Sequence, residues 1–145
     1  MLICRQLHYF LMIALTLTLI LASTHSRSEG LILVSASEEL KQPLSREQVR
    51  NLYMGASLGY DLKPLALPPK NRLRSQFNTQ VIGLPESRIQ SYWAQMKFTG
   101  RMTPPKEMRD EQTLLQQLLT NPDSIGYLPS DMPVPARLNV VFRCP

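Results

Sequence analysis

The sequence predicts an α/β fold with a small, mostly parallel sheet flanked by helices. Two observations carry this. Short apolar runs alternate with stretches of helical periodicity, in the order strand, helix, strand, helix, helix, helix, strand, strand, and such alternation builds layered α/β domains. Prolines and glycines punctuate the joints between these stretches, where turns form. The roughly 120 residues that follow an N-terminal leader suffice for one domain, burying about two-thirds of the unfolded surface.

Each element has a local reason. Leu31 to Val34 is a continuous apolar run after Gly30 and reads as a buried strand. Ser45, with Gln48 three residues on, forms a capping box. Val49, Leu52 and Tyr53 then make a helical apolar stripe that Gly55 ends. Leu62 to Leu67 reads as a second strand, and its prolines suggest an edge position or a strand end. Asn71 caps a second helix whose face is Leu73, Phe77, Val81 and Ile82, stopped by Gly83 and Pro85. A third helix opens at Pro85 or Glu86 and buries Ile89, Tyr92, Trp93 and Met96. Thr99 to Pro105 reads as a loop. Asp110 caps a fourth helix bearing Leu114, Leu115, Leu118 and Leu119. Ile125 to Leu128 and Leu138 to Phe142 are the last strands. Trp93 is expected in the core against Phe77 and Val81.

Residues 1–26 read as a signal peptide, and 27–145 as a single α/β domain. Tyr9 to Ser23 carries no charge, follows Arg5 and His8, and exits through Ala22, Ser23, Thr24 and Ser26. Weakly basic start, apolar middle and small-residue exit are the marks of export. The run is shorter than the roughly 20 residues a membrane span needs, and an N-terminal anchor retained in the inner membrane is the alternative. The expected location is the periplasm, with no membrane anchor after cleavage.

Composition narrows the function classes. Of the 16 basic residues only Arg5 precedes Arg27, leaving 15 against 11 acidic residues. That weakly favours anionic partners. The basic residues are scattered apart from Lys70, Arg72 and Arg74, so no nucleic-acid-binding stripe is present. The histidines are His8 and His25, in or beside the leader, which leaves the domain without one for base or metal chemistry. No Gly-x-Ser-x-Gly elbow or phosphate-binding glycine loop occurs. A non-enzymatic protein without cofactor or metal is expected. Cys144 stands alone once Cys4 leaves with the leader, and near a frayed terminus it is expected as a free thiol.

Three segments carry a family resemblance. Leu44-Ser45-Arg46-Glu47-Gln48-Val49, followed by Leu52-Tyr53-Met54-Gly55, resembles a signature of phosphate-type ABC transporter substrate-binding proteins. Tyr92-Trp93, Phe98-Thr99-Gly100-Arg101 and Pro104-Pro105 resemble the Trp and Phe-Thr-Gly loop of their short homologues. Asn121 to Tyr127 resembles their Pro-Gly-Ala-Ile-Gly-Tyr turn. The resemblance spans Leu31 to Leu128 and implies a type 2 periplasmic binding protein fold. Two-lobed members are far longer, so this chain has room for a single lobe.

The resemblance also implies a site. Family members hold an oxyanion at a helix start with a Ser-Gly-Thr signature, where unpaired amides and the helix dipole favour an anion. The matching stretch here keeps Ser75 but has Gln76 in place of the glycine. Asn71, Arg72, Arg74 and Ser75 are the candidate ligand residues, with Gly100 and Arg101 as a second group facing the same mouth. Arg72 also reads as a solvated helix-start residue, and Arg101 as an ordinary surface arginine. The implied function is non-catalytic binding of phosphate or another small oxyanion for ABC transport or sensing, with a permease or periplasmic sensor as partner. The alternative is a periplasmic protein–protein interaction module that kept one lobe and lost the ligand.

The leader makes the first prediction. N-terminal sequencing of protein from the periplasmic fraction should find a start between Ser23 and Gly30. An intact Met1 in the inner membrane would support the anchor instead.

Overall fold

The computed structural model describes residues 30–40 and 42–144; the leader and its cleavage site lie outside them. The elements are β1 (Leu31–Ser35), α1 (Arg46–Tyr53), β2 (Lys63–Ala66), α2 (Arg72–Phe77) running into a π-helical turn (Asn78–Ile82), α3 (Glu86–Phe98), β3 (Lys106–Glu107), α4 (Glu111–Thr120), β4 (Ser124–Pro129) and β5 (Asn139–Cys144). No helix among the described residues is long and apolar enough to cross a membrane.

The five strands form one sheet in the order β3-β2-β4-β1-β5. β2 runs parallel to both β3 and β4. β1 runs antiparallel to β4 on one side and β5 on the other. Four strands therefore share one direction, and β1 alone opposes them. β1 is buried along its whole length, as a strand covered on both faces must be, which is why it reads as a continuous apolar run.

The expected caps are present. Ser45 and Gln48 form the reciprocal capping box. Asn71 Oδ1 accepts from the amides of Leu73 at 2.8 Å and Arg74 at 3.3 Å. Asp110 Oδ1 accepts from the Thr113 amide at 2.8 Å. The Thr113 hydroxyl, that amide bond and Arg109 lower the Asp110 pKa to about 2. Each cap satisfies amides that a helix start leaves unpaired.

The core joins sheet to helices through three rings. Phe77 stacks on Tyr127 with centroids 4.2 Å apart, and Tyr53 tilts against Phe77 at 4.6 Å. Both tyrosines also serve the backbone. Tyr53 Oη donates to the Leu65 carbonyl at 2.9 Å, and the Leu67 amide donates to Tyr127 Oη at 3.0 Å. The rings thereby lock β2 to α1 and β4. On β4, Gly126 admits Leu114 of α4; a Cβ there would stand 2.7 Å from Leu114 Cδ2. Leu114 and Leu118 are wholly buried, each worth about 1.5–3 kcal/mol of transfer free energy.

Several expectations need correction. β2 is not an edge strand, because Lys106–Glu107 pairs beyond it through Leu65 and Ala66; its Pro64 sits near the strand start, the second position proline tolerates. Tyr92 and Met96 are half-buried, while Ile89 and Trp93 of the same helix are buried. Cys144 is a free thiol but not at a frayed end. It is buried in β5, and its Sγ lies 3.5 Å from Gln80 Oε1. Trp93 is buried as expected. Its ring meets Tyr92 edge-on at 5.2 Å, whereas Phe77 gives its face to Tyr127.

Because Trp93 is a large, well-buried ring, Trp93→Ala should cost about 3–5 kcal/mol. Urea melts followed by far-ultraviolet circular dichroism measure this. A loss under about 1 kcal/mol would mean that the ring contributes little to the core.

Candidate functional site

A cavity of about 450 Å³ opens beside the aromatic cluster. Tyr53 and Met54 at the end of α1 form one wall. Phe77, Asn78 and Ile82 of α2 and the π-helical turn form a second, and Ile89, Gln90 and Trp93 of α3 a third. Pro104, Pro105, Lys106 and Glu107 add a further stretch of lining, and Tyr127 of β4 completes it. The π-helical turn is confined to Asn78–Ile82. It widens the helix by one residue, and such turns gather at functional sites. Gly83, at φ 72°, ends it in the left-handed region that glycine adopts readily.

Arg74 sits within this lining, buried to 6% exposure. Its guanidinium is engaged by the chain's own acceptors. Nε and Nη2 donate to Glu86 Oε2 and Oε1 at 2.9 and 2.6 Å. Nη1 donates to the Leu67 carbonyl at 2.6 Å and to Glu107 Oε1 at 2.8 Å. These bonds occupy four of the five N–H groups an arginine carries. Burial alone would lower the Arg74 pKa, but its hydrogen bonds to Glu86 and Glu107 outweigh that and raise it. Glu86 is further held by Asn78 Nδ2 at 2.6 Å and Gln90 Nε2 at 2.6 Å. Burial pushes its carboxyl up, yet the bonds from Gln90, Arg74 and Asn78 prevail and depress its pKa.

Of the candidate residues, the structure brings only Arg74 into the cleft lining. Asn71 spends its side chain on the α2 amides and donates to Glu111 Oε1 at 2.9 Å. The Ser75 amide donates to the Asn71 carbonyl at 3.1 Å. The first-turn amides that an oxyanion would use are thus largely taken, with a carboxylate alongside. Arg72 and Ser75 are exposed and outside the lining, as are Gly100 and Arg101 beyond the end of α3. Sequence reasoning missed Glu86, Glu107 and Asn78. Glu86 had a faint signal, an acidic residue in the first turn of a helix. Glu107 had none, because its strand is only two residues long.

The network predicts a pH dependence. The folded-state pKa of Glu86 lies below the ordinary 4.5. Its contribution is therefore present above pH 4.5 and lost as pH falls through the folded value. Urea midpoints should drop as pH falls below about 4.5, and Glu86→Gln should flatten part of that fall. An unchanged slope in the variant would remove Glu86 from the account.

The chain is similar in fold to an ABC-type phosphate transport receptor from Vibrio cholerae, with a TM-score of 0.58 and 15% sequence identity. The match covers 78% of this chain and 45% of the receptor chain, so this chain spans under half of the receptor's length. No family model and no curated protein matches the sequence. At this identity the likeness is one of fold, and the described residues form a mixed α/β unit resembling one lobe of a periplasmic binding protein.

Proposed function

We propose that this chain is an exported, non-catalytic binding lobe that engages a partner protein in the periplasm through the Arg74 cleft. The observation that carries this reading is the occupation of Arg74 by Glu86 and Glu107. A guanidinium already facing two carboxylates offers little to a third anion. What the cleft offers instead is apolar wall: Phe77, Ile82, Ile89 and Trp93. Buried aromatic pockets of this kind receive the anchor residues of protein partners.

Catalysis fits the cleft poorly. Its carboxylates are tied to Arg74, and its lining contains neither histidine nor cysteine. Burial raises the pKa of Tyr53 and of Tyr127 above the ordinary 10.0, so neither ionises near neutral pH.

A second reading keeps the oxyanion: capture of phosphate or a similar anion for a permease. It is favoured by the phosphate receptor that shares the fold and by the helix start at Asn71.

Titration of phosphate and sulfate into isotope-labelled protein separates the two readings. We expect no localised amide shifts at residues 71–76 or 100–101 up to tens of millimolar, roughly the edge of measurable affinity. Saturable shifts there, lost in Arg74→Ala, would replace the partner reading with the oxyanion one.

A further inference from the structure

We propose that the end of α3 docks on an anionic lipid surface, with Phe98 entering the headgroup layer and Lys97 and Arg101 facing lipid phosphates. This surface is separate from the Arg74 cleft, whose lining contains none of the three residues.

The ring is the first observation. Phe98, the last residue of α3, is 94% exposed. Tyr60, at 40%, is the other exposed large apolar side chain among the described residues. A phenylalanine left in water on nearly every side gains almost nothing from folding. A frayed helix end is not the cause. The Gly100 amide donates to the Lys97 carbonyl and the Arg101 amide to the Met96 carbonyl, both at 3.1 Å. The Thr99 hydroxyl donates to the Gln95 carbonyl at 3.1 Å. Gly100, at φ 65°, supplies the left-handed residue that such a helix end uses. The ring therefore stands on a closed, hydrogen-bonded turn.

Charge is the second observation, and it names the occupant. Between Glu86 and Glu107 the chain has no acidic residue but four cations: Arg88, Lys97, Arg101 and Lys106. Lys97 and Arg101 flank the ring, are exposed, and enter no ion pair among the described residues. Arg88 and Phe98 fall on one exposed face of α3, joined by Ser91 and Gln95 at spacings of three and four. Cations of one sign around an apolar ring complement a surface that is anionic at its face and apolar beneath. A Cβ on Gly100 would meet nothing within 4 Å, so the turn beside the ring stands clear of the lobe. A protein partner needs shape to match; a fluid bilayer does not.

Magnitudes make the contact peripheral and reversible. Each Lys or Arg near an anionic leaflet strengthens binding about fivefold, and burying a phenyl ring about tenfold or more. Neither signal alone holds a protein on a membrane, whereas an apolar and a basic signal together can. Its electrostatic part should fade in salt, because the screening length shortens to about 3 Å at about 1 M.

Cosedimentation with vesicles tests this, using protein purified from the periplasmic fraction. One set of vesicles is phosphatidylcholine alone, and the other contains phosphatidylglycerol in equal part. The wild type should bind the anionic vesicles at least about tenfold more tightly than the neutral ones. Phe98→Ser should weaken that binding about tenfold, and Lys97→Gln with Arg101→Gln about twentyfold, two charges at fivefold each. Phe98→Trp, which keeps a ring suited to the interface, should bind like the wild type. All these variants should melt with the wild type, because the replaced side chains are exposed. Equal binding to both kinds of vesicle would overturn the proposal, as would no sedimentation with either. So would a Phe98→Ser protein that binds undiminished. A dimer in analytical ultracentrifugation that Phe98→Ser dissociates would also overturn it, and would give the ring to a second copy of this chain.

Discussion

A guanidinium withdrawn from water has to find acceptors, and most of this lobe's arrangement follows from where Arg74 finds them. Its partners come from four places: the carbonyl after β2, the first turn of α3, the edge strand β3 and, through Glu86, the start of the π-helical turn. Removing any one partner leaves charge buried and uncompensated, which is far costlier than the pair is worth as a net contribution. The network is therefore best understood as a device for position. It sets α3 against α2 across the cavity and holds the short β3 on the sheet, where only two residue pairs would otherwise keep it.

The aromatic cluster completes that frame from the other side. Tyr53, Phe77 and Tyr127 meet face to face or tilted within 6 Å. Two of them also bond backbone groups of or beside β2. Apolar contact and hydrogen bonding thus act on one strand at once, and buried tyrosines need such partners. The cavity exists because this cluster, α3 and the β3 segment stand around it without filling it. The buried Arg74 is in this way spent on the chain's own carboxylates.

How much of this was legible in the sequence follows from range. Ser45–Gln48, Asn71 and Asp110 cap helices through bonds spanning two or three residues, so their signals sit side by side in the chain. The apolar run of β1 and the stripe Val49, Leu52, Tyr53 are likewise local patterns. The partners of Arg74 lie 12 and 33 residues away, and no periodicity joins them. The same holds for β3, too short to show alternation, and for the π-helical turn, which differs from the α-helix by one residue of register. Arg74 was visible as a candidate because arginine near a helix start suits anions. Its use inside the fold was not, because that depends on Glu86 and Glu107 arriving from distant elements.

The state of the Arg74 side chain carries the central claim, and its Nε–Hε resonance reports on it directly. A bonded, buried group should give a sharp signal that exchanges slowly with water and stays in place when phosphate is added. A signal that exchanges as fast as a surface arginine's, or that moves on adding phosphate, would contradict the claim that the chain's own carboxylates hold this cation.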